Sequence, residues 1–332
     1  MDDVGERWLA AMRAGDFEAA WRQTDRIELL RRVQQTRPGF ERQPHQLHWD
    51  GTPFKGRTVL IRCEHGLGDT LQFLRFVPTI TQQARAVHLM VQPPLYELLR
   101  GAPGLGHVHD GWQPAERWPV CEVDIEIMEL AYALRVNAAT LPPPYPHVKE
   151  RVEGKLVPPL AADGLKAGIV WAVSAWGHDR SAPLASLAPL FEVPGVHWYS
   201  LQQGDEAEDP LLRTLGVEPL SPRTRDIGAA ASALAQLDLM VSVDAMPTHL
   251  AGMLGVPTWL LLKHEADWRW MQERADTPWY PSVRLLRQSR AGDWEGLAGH
   301  AAQALRERLR LRIGQRLHHL AAETGTRKPA AA

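Results

Sequence analysis

The strongest constraint on the fold is an alternation, from Thr58 onward, of short and continuously apolar segments with segments of helical periodicity. The apolar segments that predict strands are 58–63, 87–92, 123–127, 167–173, 196–202, 238–243, 257–263 and 283–288. Strands that are apolar along their whole length, and that helices separate, are typical of a parallel sheet covered on both faces. The sequence therefore predicts an α/β protein with doubly wound sheets.

A stretch rich in proline and charge, 141–166, interrupts this alternation, and we interpret it as an interdomain linker. The length of 332 residues favours about two domains. We therefore expect one doubly wound domain over 55–150 and a second over 160–320. Two such domains place the ends of their strands across a cleft, which is where ligands bind in this class of fold.

The N-terminal segment 1–45 has a different pattern. Within 6–34, apolar side chains recur at three-to-four spacing, and Gly15 breaks the series. This pattern predicts a short helical hairpin. Residues 8–29 resemble one tetratricopeptide unit, and because a single unit cannot form a solenoid, we interpret the hairpin as a cap or remnant.

Charge and hydropathy exclude several classes of partner. Lys and Arg number 37 against 39 Asp and Glu, a net charge of -2, so we expect no nucleic-acid partner. The apolar stretch 255–262 is far shorter than the roughly 20 residues that span a bilayer, and the N-terminus is acidic without an apolar signal core. We expect a cytoplasmic protein without a transmembrane segment, and peripheral membrane contact stays open.

Several sequence motifs of cofactor and metal chemistry are missing. Leu71 stands where a dinucleotide-binding turn would have its third glycine, and the phosphate-loop, zincin and serine-hydrolase motifs are absent. Cys63 and Cys121 lie far apart, without the spacing of a thiolate zinc site. We therefore expect neither a cofactor nor a metal.

Two strand ends carry candidate site residues. The first predicted strand is followed by a turn that contains Gly66, Gly68 and Asp69. Asp69 could cap the following helix, or it could act as a general base in the cleft. In the second half, Asp244 and Thr248 lie where a strand turns into a helix, and unpaired backbone N–H groups there suit a diphosphate. The alternative is that both residues cap the helix and that His249 packs beneath it.

Four segments together resemble a known family: 58–78, 196–204, 240–262 and 267–294. They are similar to the bacterial glycosyltransferases related to ADP-heptose:lipopolysaccharide heptosyltransferases, which often occur with tetratricopeptide repeats, and the resemblance covers about residues 55–310. It implies a GT-B fold, in which two Rossmann-like domains face a cleft. It also implies a nucleotide-sugar donor held mainly by the C-terminal domain and an acceptor on the N-terminal side.

The resemblance implies roles for individual residues. Asp69 falls where the family has its catalytic base. The residues expected to bind the donor are Gly66, Gly68, Arg180, Gln202, Asp244, Met246, Thr248 and His249. The implied reaction is inverting and metal-independent transfer of a sugar, from an ADP-heptose-like or other nucleotide-sugar, to a hydroxyl of a glycan or protein acceptor.

Two other functions stay open at this point. Ala245 stands where relatives usually have Thr or Ser, so the chain could be a catalytically weak or inactive nucleotide-sugar-binding protein. A nucleotide-sugar epimerase also uses two such domains. The tryptophans at 268, 270 and 279 could stack on a base or sugar, but packing in the core is the expectation we prefer.

Overall fold

The structure is a computed structural model that describes residues 2–35, 49–111, 117–152, 157–160, 164–173 and 175–325. Within these residues, ten strands form two separate sheets. The strands are β1 (Thr58–Arg62), β2 (Ala86–Val91), β3 (His107–Asp110), β4 (Val123–Glu126), β5 (Leu165–Val170), β6 (Val196–Ser200), β7 (Val217–Pro219), β8 (Leu239–Val243), β9 (Thr258–Leu262) and β10 (Val283–Arg287).

The α-helices lie between the strands and at both ends of the chain. They are α1 (Asp2–Ala14), α2 (Phe17–Gln35), α3 (Leu67–Phe73), α4 (Val77–Thr81), α5 (Pro93–Leu99), α6 (Leu130–Ala133), α7 (His147–Val152), α8 (Ala188–Phe191), α9 (Leu211–Thr214), α10 (Ile227–Leu234), α11 (Met246–Leu254) and α12 (Trp294–Gly325). Short 3₁₀ turns join several of them, and one of these, Leu74–Phe76, separates α3 from α4.

Both sheets are parallel and doubly wound. The first has the strand order β3-β2-β1-β4, and the second has the order β10-β9-β8-β5-β6-β7. The winding reverses between β1 and β4 in the first sheet and between β5 and β8 in the second. These two positions are the topological switch points, where a crevice opens at the carboxyl ends of the strands. The predicted α/β class and its parallel sheets are confirmed.

Some elements differ from the sequence-based expectation. The edge strands β3 and β7 were not predicted, because one is polar (HVHD) and the other is three residues long and ends in proline. The supposed linker 141–166 contains α7, whose Val148 and Val152 are buried in the core. That stretch is therefore packed against the rest of the protein over part of its length, and the domain boundaries stay predictions.

The N-terminal hairpin is present as α1 and α2, and Gly15 between them adopts φ 76, a left-handed conformation that favours glycine. Residues 36–45 of the predicted 1–45 segment lie outside the described residues. The hairpin touches both halves of the protein. Trp8 packs edge-on against Trp268 at 5.3 Å between ring centroids, and the indole Nε1 of Trp21 donates to the Val136 carbonyl at 2.7 Å. Its likeness to a tetratricopeptide unit stays a prediction.

Two hydrophobic cores hold the fold together. One is continuous from the hairpin through the first sheet to α11 and the tryptophan-rich segment 268–280. The other lies between the second sheet and the first three turns of α12. Helices α3 and α11, one from each half, also pack against each other. In the part of the chain that is described, no helix has the length and apolar character needed to cross a bilayer.

Candidate functional site

A cleft of about 550 Å³ lies where the carboxyl ends of strands from both sheets meet. Its walls come from the turn after β1, the segments after β5 and β6, and the turn between β8 and α11. Eight of the nine predicted site residues line it: Gly66, Gly68, Asp69, Arg180, Gln202, Asp244, Met246 and His249. These residues therefore lie together at one cleft, and their roles toward a ligand stay predictions.

A larger groove of about 830 Å³ lies elsewhere, beside α12. Asp238, Thr258 and Ser282 line it, and these residues stand at the amino ends of β8, β9 and β10. Ligands of open α/β sheets bind at the opposite, carboxyl edge. We therefore take the smaller cleft as the candidate site.

Asp69 has both of the features that the sequence left as alternatives. It is the third residue of α3, and its Oδ2 accepts a hydrogen bond from the backbone N–H of Gly66 at 2.9 Å. Its Oδ1 faces the cleft, where it forms an ion pair with Arg269 of the other half. The carboxylate therefore stabilises the helix start and also presents negative charge to the cleft. Since the Gly66 amide is already bonded, it is not free to bind a donor.

Arg269 is the residue that the sequence analysis missed. Its guanidinium donates to Asp267 at 2.8 Å, pairs with Asp69, and lies 4.7 Å from the centre of the Trp268 ring. Burial alone would lower the pKa of Arg269, but the carboxylates of Asp267 and Asp69 outweigh burial and raise it. It is therefore a permanent, largely buried cation in the wall of the cleft. The sequence did contain a sign of this role. Arg269 lies between two tryptophans that were expected to pack in the core, and an arginine that is buried there has to be paired with a carboxylate.

Asp244 and Arg180 form a second ion pair in the cleft, with 3.4 Å between Nη1 and Oδ2. Burial raises the pKa of Asp244, and Arg180 acts in the opposite direction. Asp244 does not cap α11, because Ala245 occupies the N-cap position and no side chain caps the helix. The capping alternative for Asp244 is therefore wrong, and the first amides of α11 have no side-chain partner at the N-cap.

Thr248 is the predicted site residue that the structure does not place in the cleft. It is fully buried, and its hydroxyl donates to the Val243 carbonyl at 2.9 Å. That bond ties α11 to the end of β8, so the hydroxyl is directed away from the cleft. Thr248 therefore holds the turn in shape, and the expectation that it contacts a donor is corrected.

His249 both lines the cleft and packs beneath its floor. Its Nδ1 lies 3.1 Å from the hydroxyl of Tyr280, and its ring stacks on Trp270 with 5.4 Å between centroids. Burial lowers the pKa of His249 to about 3, and the nearby Arg269 adds to this, so the imidazole is neutral. A side chain at Gly68 would put its Cβ only 2.7 Å from the His249 Cδ2. Glycine is required there because the two halves touch at this point.

Gln202 joins the ends of β5 and β6. Its Oε1 accepts from the backbone N–H groups of Trp171 and Ala172 at 3.2 and 3.0 Å, and its Nε2 donates to the Ala172 carbonyl at 3.2 Å. The side chain thus shapes the cleft wall with its polar atoms already bonded. Of the three tryptophans that were expected to pack in the core, Trp270 and Trp279 are completely buried, and Trp268 is partly buried against the core. Among the described residues, no group of three or more His, Cys, Asp or Glu side chains is arranged to hold a metal.

Comparison with solved structures identifies the architecture. Escherichia coli ADP-heptose lipopolysaccharide heptosyltransferase II superposes with a TM-score of 0.52 at 14% identity, covering 76% of this chain and 99% of that one. E. coli heptosyltransferase WaaC with ADP-2-deoxy-2-fluoro heptose gives 0.52 at 13% identity, with the same coverage of 76% and 99%. The iron-containing dodecameric glycosyltransferase TibC of enterotoxigenic E. coli gives 0.51 at 12% identity, covering 80% and 78%.

The chain has the GT-B fold. At the level of sequence, it is 29% identical over 297 residues to Protein FlbA of Caulobacter vibrioides. That match covers 79% of this chain and 48% of FlbA, so the chain spans about half the length of this relative. No family model matches the sequence. The comparisons therefore establish the fold, and the activity has to be argued from the cleft.

Proposed function

We propose that the protein is a glycosyltransferase that moves a sugar from a nucleoside-diphosphate donor to an acceptor hydroxyl, with inversion and without a metal. The observation that carries the proposal is the composition of the cleft. A carboxylate from the first half, Asp69, faces two arginines from the second, Arg180 and Arg269. A base on one side and fixed positive charge on the other are what this transfer requires. The fold of heptosyltransferases bound to ADP-sugars is consistent with it.

The donor fits the second sheet. Its diphosphate would lie at the β5/β8 switch point, against Arg180, Arg269 and the amino end of α11, where the helix dipole favours an anion. A side cavity of about 360 Å³ shares Leu201 and Met246 with the cleft, and its other walls include Ile227, Leu234 and Leu250. Those apolar side chains suit the flat faces of a nucleobase. We therefore assign the base to the side cavity.

The reaction follows from these positions. The acceptor hydroxyl gives its proton to the Asp69 carboxylate while its oxygen forms a bond to the anomeric carbon. The bond from that carbon to the diphosphate oxygen breaks, and the leaving group takes the electron pair. Arg180 and the amides of α11 stabilise the charge that develops on it. Arg269, which pairs with Asp69, holds this carboxylate in the cleft.

A second candidate, a nucleotide-sugar-binding protein with little or no turnover, has an observation in its favour. Two of the three carboxylates that line the cleft, Asp69 and Asp244, already have arginine partners. A donor diphosphate that attracted Arg269 would compete with Asp69 for it. If the ion pair persists in the donor complex, the base stays occupied and transfer is slow.

The test starts with the full chain and the donor. Differential scanning calorimetry with ADP, UDP and GDP, and then with the corresponding nucleotide-sugars, should show a raised unfolding temperature. A ligand at 100 times its Kd stabilises the native state by about 2.7 kcal/mol. Release of nucleoside diphosphate together with a new glycoside of inverted configuration would support the transferase. Binding without release would favour the binding protein, and an epimerised donor would indicate an epimerase. Absence of nucleotide binding would contradict the proposal.

A further inference from the structure

A second cavity, of about 230 Å³, lies between the N-terminal hairpin and the first sheet. Six tryptophan, phenylalanine and tyrosine rings line it: Trp8, Trp21, Phe73, Tyr132, Trp268 and Trp279. We call it the aromatic cavity. Protein interiors are normally packed to the density of organic crystals, so an apolar space of this size is uncommon in a core. It requires an explanation other than loose packing.

The aromatic cavity lies at the switch point of the first sheet. His65, which follows β1, lines it on one side, and Met128 and Glu129, which follow β4, line it on the other. Ligands of doubly wound sheets bind at this topological position. The proposed donor uses the corresponding position of the second sheet, so the two switch points of the molecule would have one ligand each.

The aromatic cavity and the cleft adjoin at two places. His65 lines the cavity, and the next residue, Gly66, lines the cleft. In the same way, Trp268 lines the cavity and Arg269 lines the cleft. Neighbouring residues of a polypeptide have Cα atoms about 3.8 Å apart, so an acceptor residue beside Asp69 has its neighbours close to the boundary between the two spaces.

Several polar groups of the cavity wall are bonded within the wall. The indole N–H groups of Trp21 and Trp279 donate to the carbonyls of Val136 and Arg269 at 2.7 and 2.9 Å. Glu126 accepts from the backbone N–H of Met128 at 2.7 Å and pairs with His65 at 3.1 Å. The rings therefore present mainly apolar surface to the space. A large apolar side chain fits that surface, whereas the hydroxyls of a sugar would lose hydrogen bonds to water there.

We propose that the aromatic cavity is an acceptor subsite, which binds a large apolar side chain next to the hydroxyl-bearing residue of a polypeptide acceptor. The assignment of the bound peptide as an acceptor rests on the proposed glycosyltransferase function. Binding in the cavity can nevertheless be measured without any donor. Buried aromatic pockets that receive one anchoring side chain are the usual centres of binding energy in protein interfaces.

The experiment uses short peptides and the full chain, observed by saturation-transfer difference NMR. The probes are Ac-Ala-Ser-Phe-Ala-NH₂ and Ac-Ala-Phe-Ser-Ala-NH₂, with Lys or Ala in place of Phe as matched controls and cellobiose as a glycan control. We expect the phenyl protons of at least one order to receive the strongest saturation, with binding about tenfold tighter than for the Ala peptide. Equal signals from the Phe and Ala peptides, or a stronger signal from the Lys peptide, would overturn the proposal.

A cavity-filling variant separates specific binding from adhesion to the surface. Ala131 is a buried residue of the cavity wall, and Ala131→Leu places a larger side chain in the cavity. If this variant does not fold, Thr24→Met fills the cavity from the side of the hairpin. We expect the phenyl signal to fall to that of the Ala peptide while ADP affinity stays unchanged. A phenyl signal that survives filling would place the peptide elsewhere. Cellobiose binding that filling abolishes would assign the cavity to a glycan instead.

Failure of this inference can be distinguished from failure of the proposed function. If ADP binds and the Phe peptides do not, the acceptor subsite is wrong and the donor site is unaffected. If the Phe peptide binds in a manner that Ala131→Leu abolishes, but no nucleotide binds, the cavity is a peptide site and the transferase proposal fails.

Discussion

Arg269 and Asp69 form an ion pair across the cleft, although 200 residues separate them in the sequence and they belong to different halves of the protein. The same guanidinium also holds Asp267. Arg269 thus links the residue proposed as general base to the segment that packs against the N-terminal hairpin.

Asp69→Asn tests the proposed base. The amide can still accept from the Gly66 N–H but cannot take a proton, so we expect kcat to fall about 10²- to 10⁴-fold, with ADP affinity nearly unchanged. Asp267→Asn is the matched control, because it also removes a carboxylate that pairs with Arg269, and Asp267 does not line the cleft. Sugar transfer by Asp69→Asn at a near wild-type rate would contradict the assignment, as would an equal loss in Asp267→Asn.

Arg269→Gln should affect both stability and donor binding. It leaves two half-buried carboxylates, Asp69 and Asp267, without their cation, so we expect the free energy of unfolding to fall by about 2 kcal/mol. If the guanidinium also binds the diphosphate, ADP affinity should fall about tenfold to a hundredfold. Urea unfolding and calorimetry measure the two effects. Arg274→Gln is the control, because the ion pair of Arg274 with Asp276 is exposed and should contribute less than about 1 kcal/mol to stability. If ADP affinity is unchanged in Arg269→Gln, Arg269 is not part of the donor site.

Gly68→Ala should destabilise the contact between the two halves. The new methyl group would stand 2.7 Å from the His249 ring, which Tyr280 and Trp270 hold in place. We expect a loss of about 1–3 kcal/mol in the free energy of unfolding. Gly299→Ala is the control: a Cβ there meets no atom within 4 Å, so it should stabilise α12 by about 0.5–1 kcal/mol. If Gly68→Ala and Gly299→Ala have the same free energy of unfolding, the two halves can move apart at this contact without loss of stability.

The stability of the protein should fall in mild acid because of His249. Burial lowers the pKa of this imidazole to about 3 in the folded state, against an ordinary value of 6.5, so the unfolded chain binds the extra proton between these values. Stability is therefore fully present above pH 6.5 and is lost as the pH falls toward 3, by up to about 1.4 kcal/mol per pH unit. His249→Gln should flatten this dependence in urea unfolding between pH 7.5 and 5.0, whereas His300→Gln, on the exposed face of α12, should not. If the free energy of unfolding depends on pH equally in the wild type and in His249→Gln, the His249 imidazole is not held neutral in the folded protein.

The sequence was sufficient for the architecture and for the two turns that meet in the cleft, because both depend on local pattern, whereas Arg180, Gln202, Met246 and His249 were named from the family resemblance. Continuous apolar runs mark the parallel strands, and strand ends of parallel sheets meet at one edge, so the turns at Asp69 and Asp244 were expected to face each other. Arg269 was not predicted, because its role depends on a contact between segments 200 residues apart. Thr248 was assigned wrongly for a related reason, since the direction of its hydroxyl depends on the bond to Val243.

The hairpin shows a different limit of sequence reasoning. Its two helices were predicted from periodicity and interpreted as a cap or remnant, with no surface assigned for them to pack against. In the structure, Trp8 and Phe17 pack against Trp268 and Trp279, so the hairpin contacts the segment that carries Arg269. Periodicity gives the apolar face of a helix but not the surface that covers it.

The adjacency of the cleft and the aromatic cavity has a thermodynamic consequence. Any coupling between a peptide side chain in the cavity and a nucleotide in the cleft is reciprocal by necessity. If the bound peptide tightens nucleotide binding by some factor, the nucleotide must tighten peptide binding by the same factor, and if ADP affinity is the same with and without the peptide, the nucleotide has no effect on the peptide either. The stability of the complex with both ligands is then independent of the order in which they arrive.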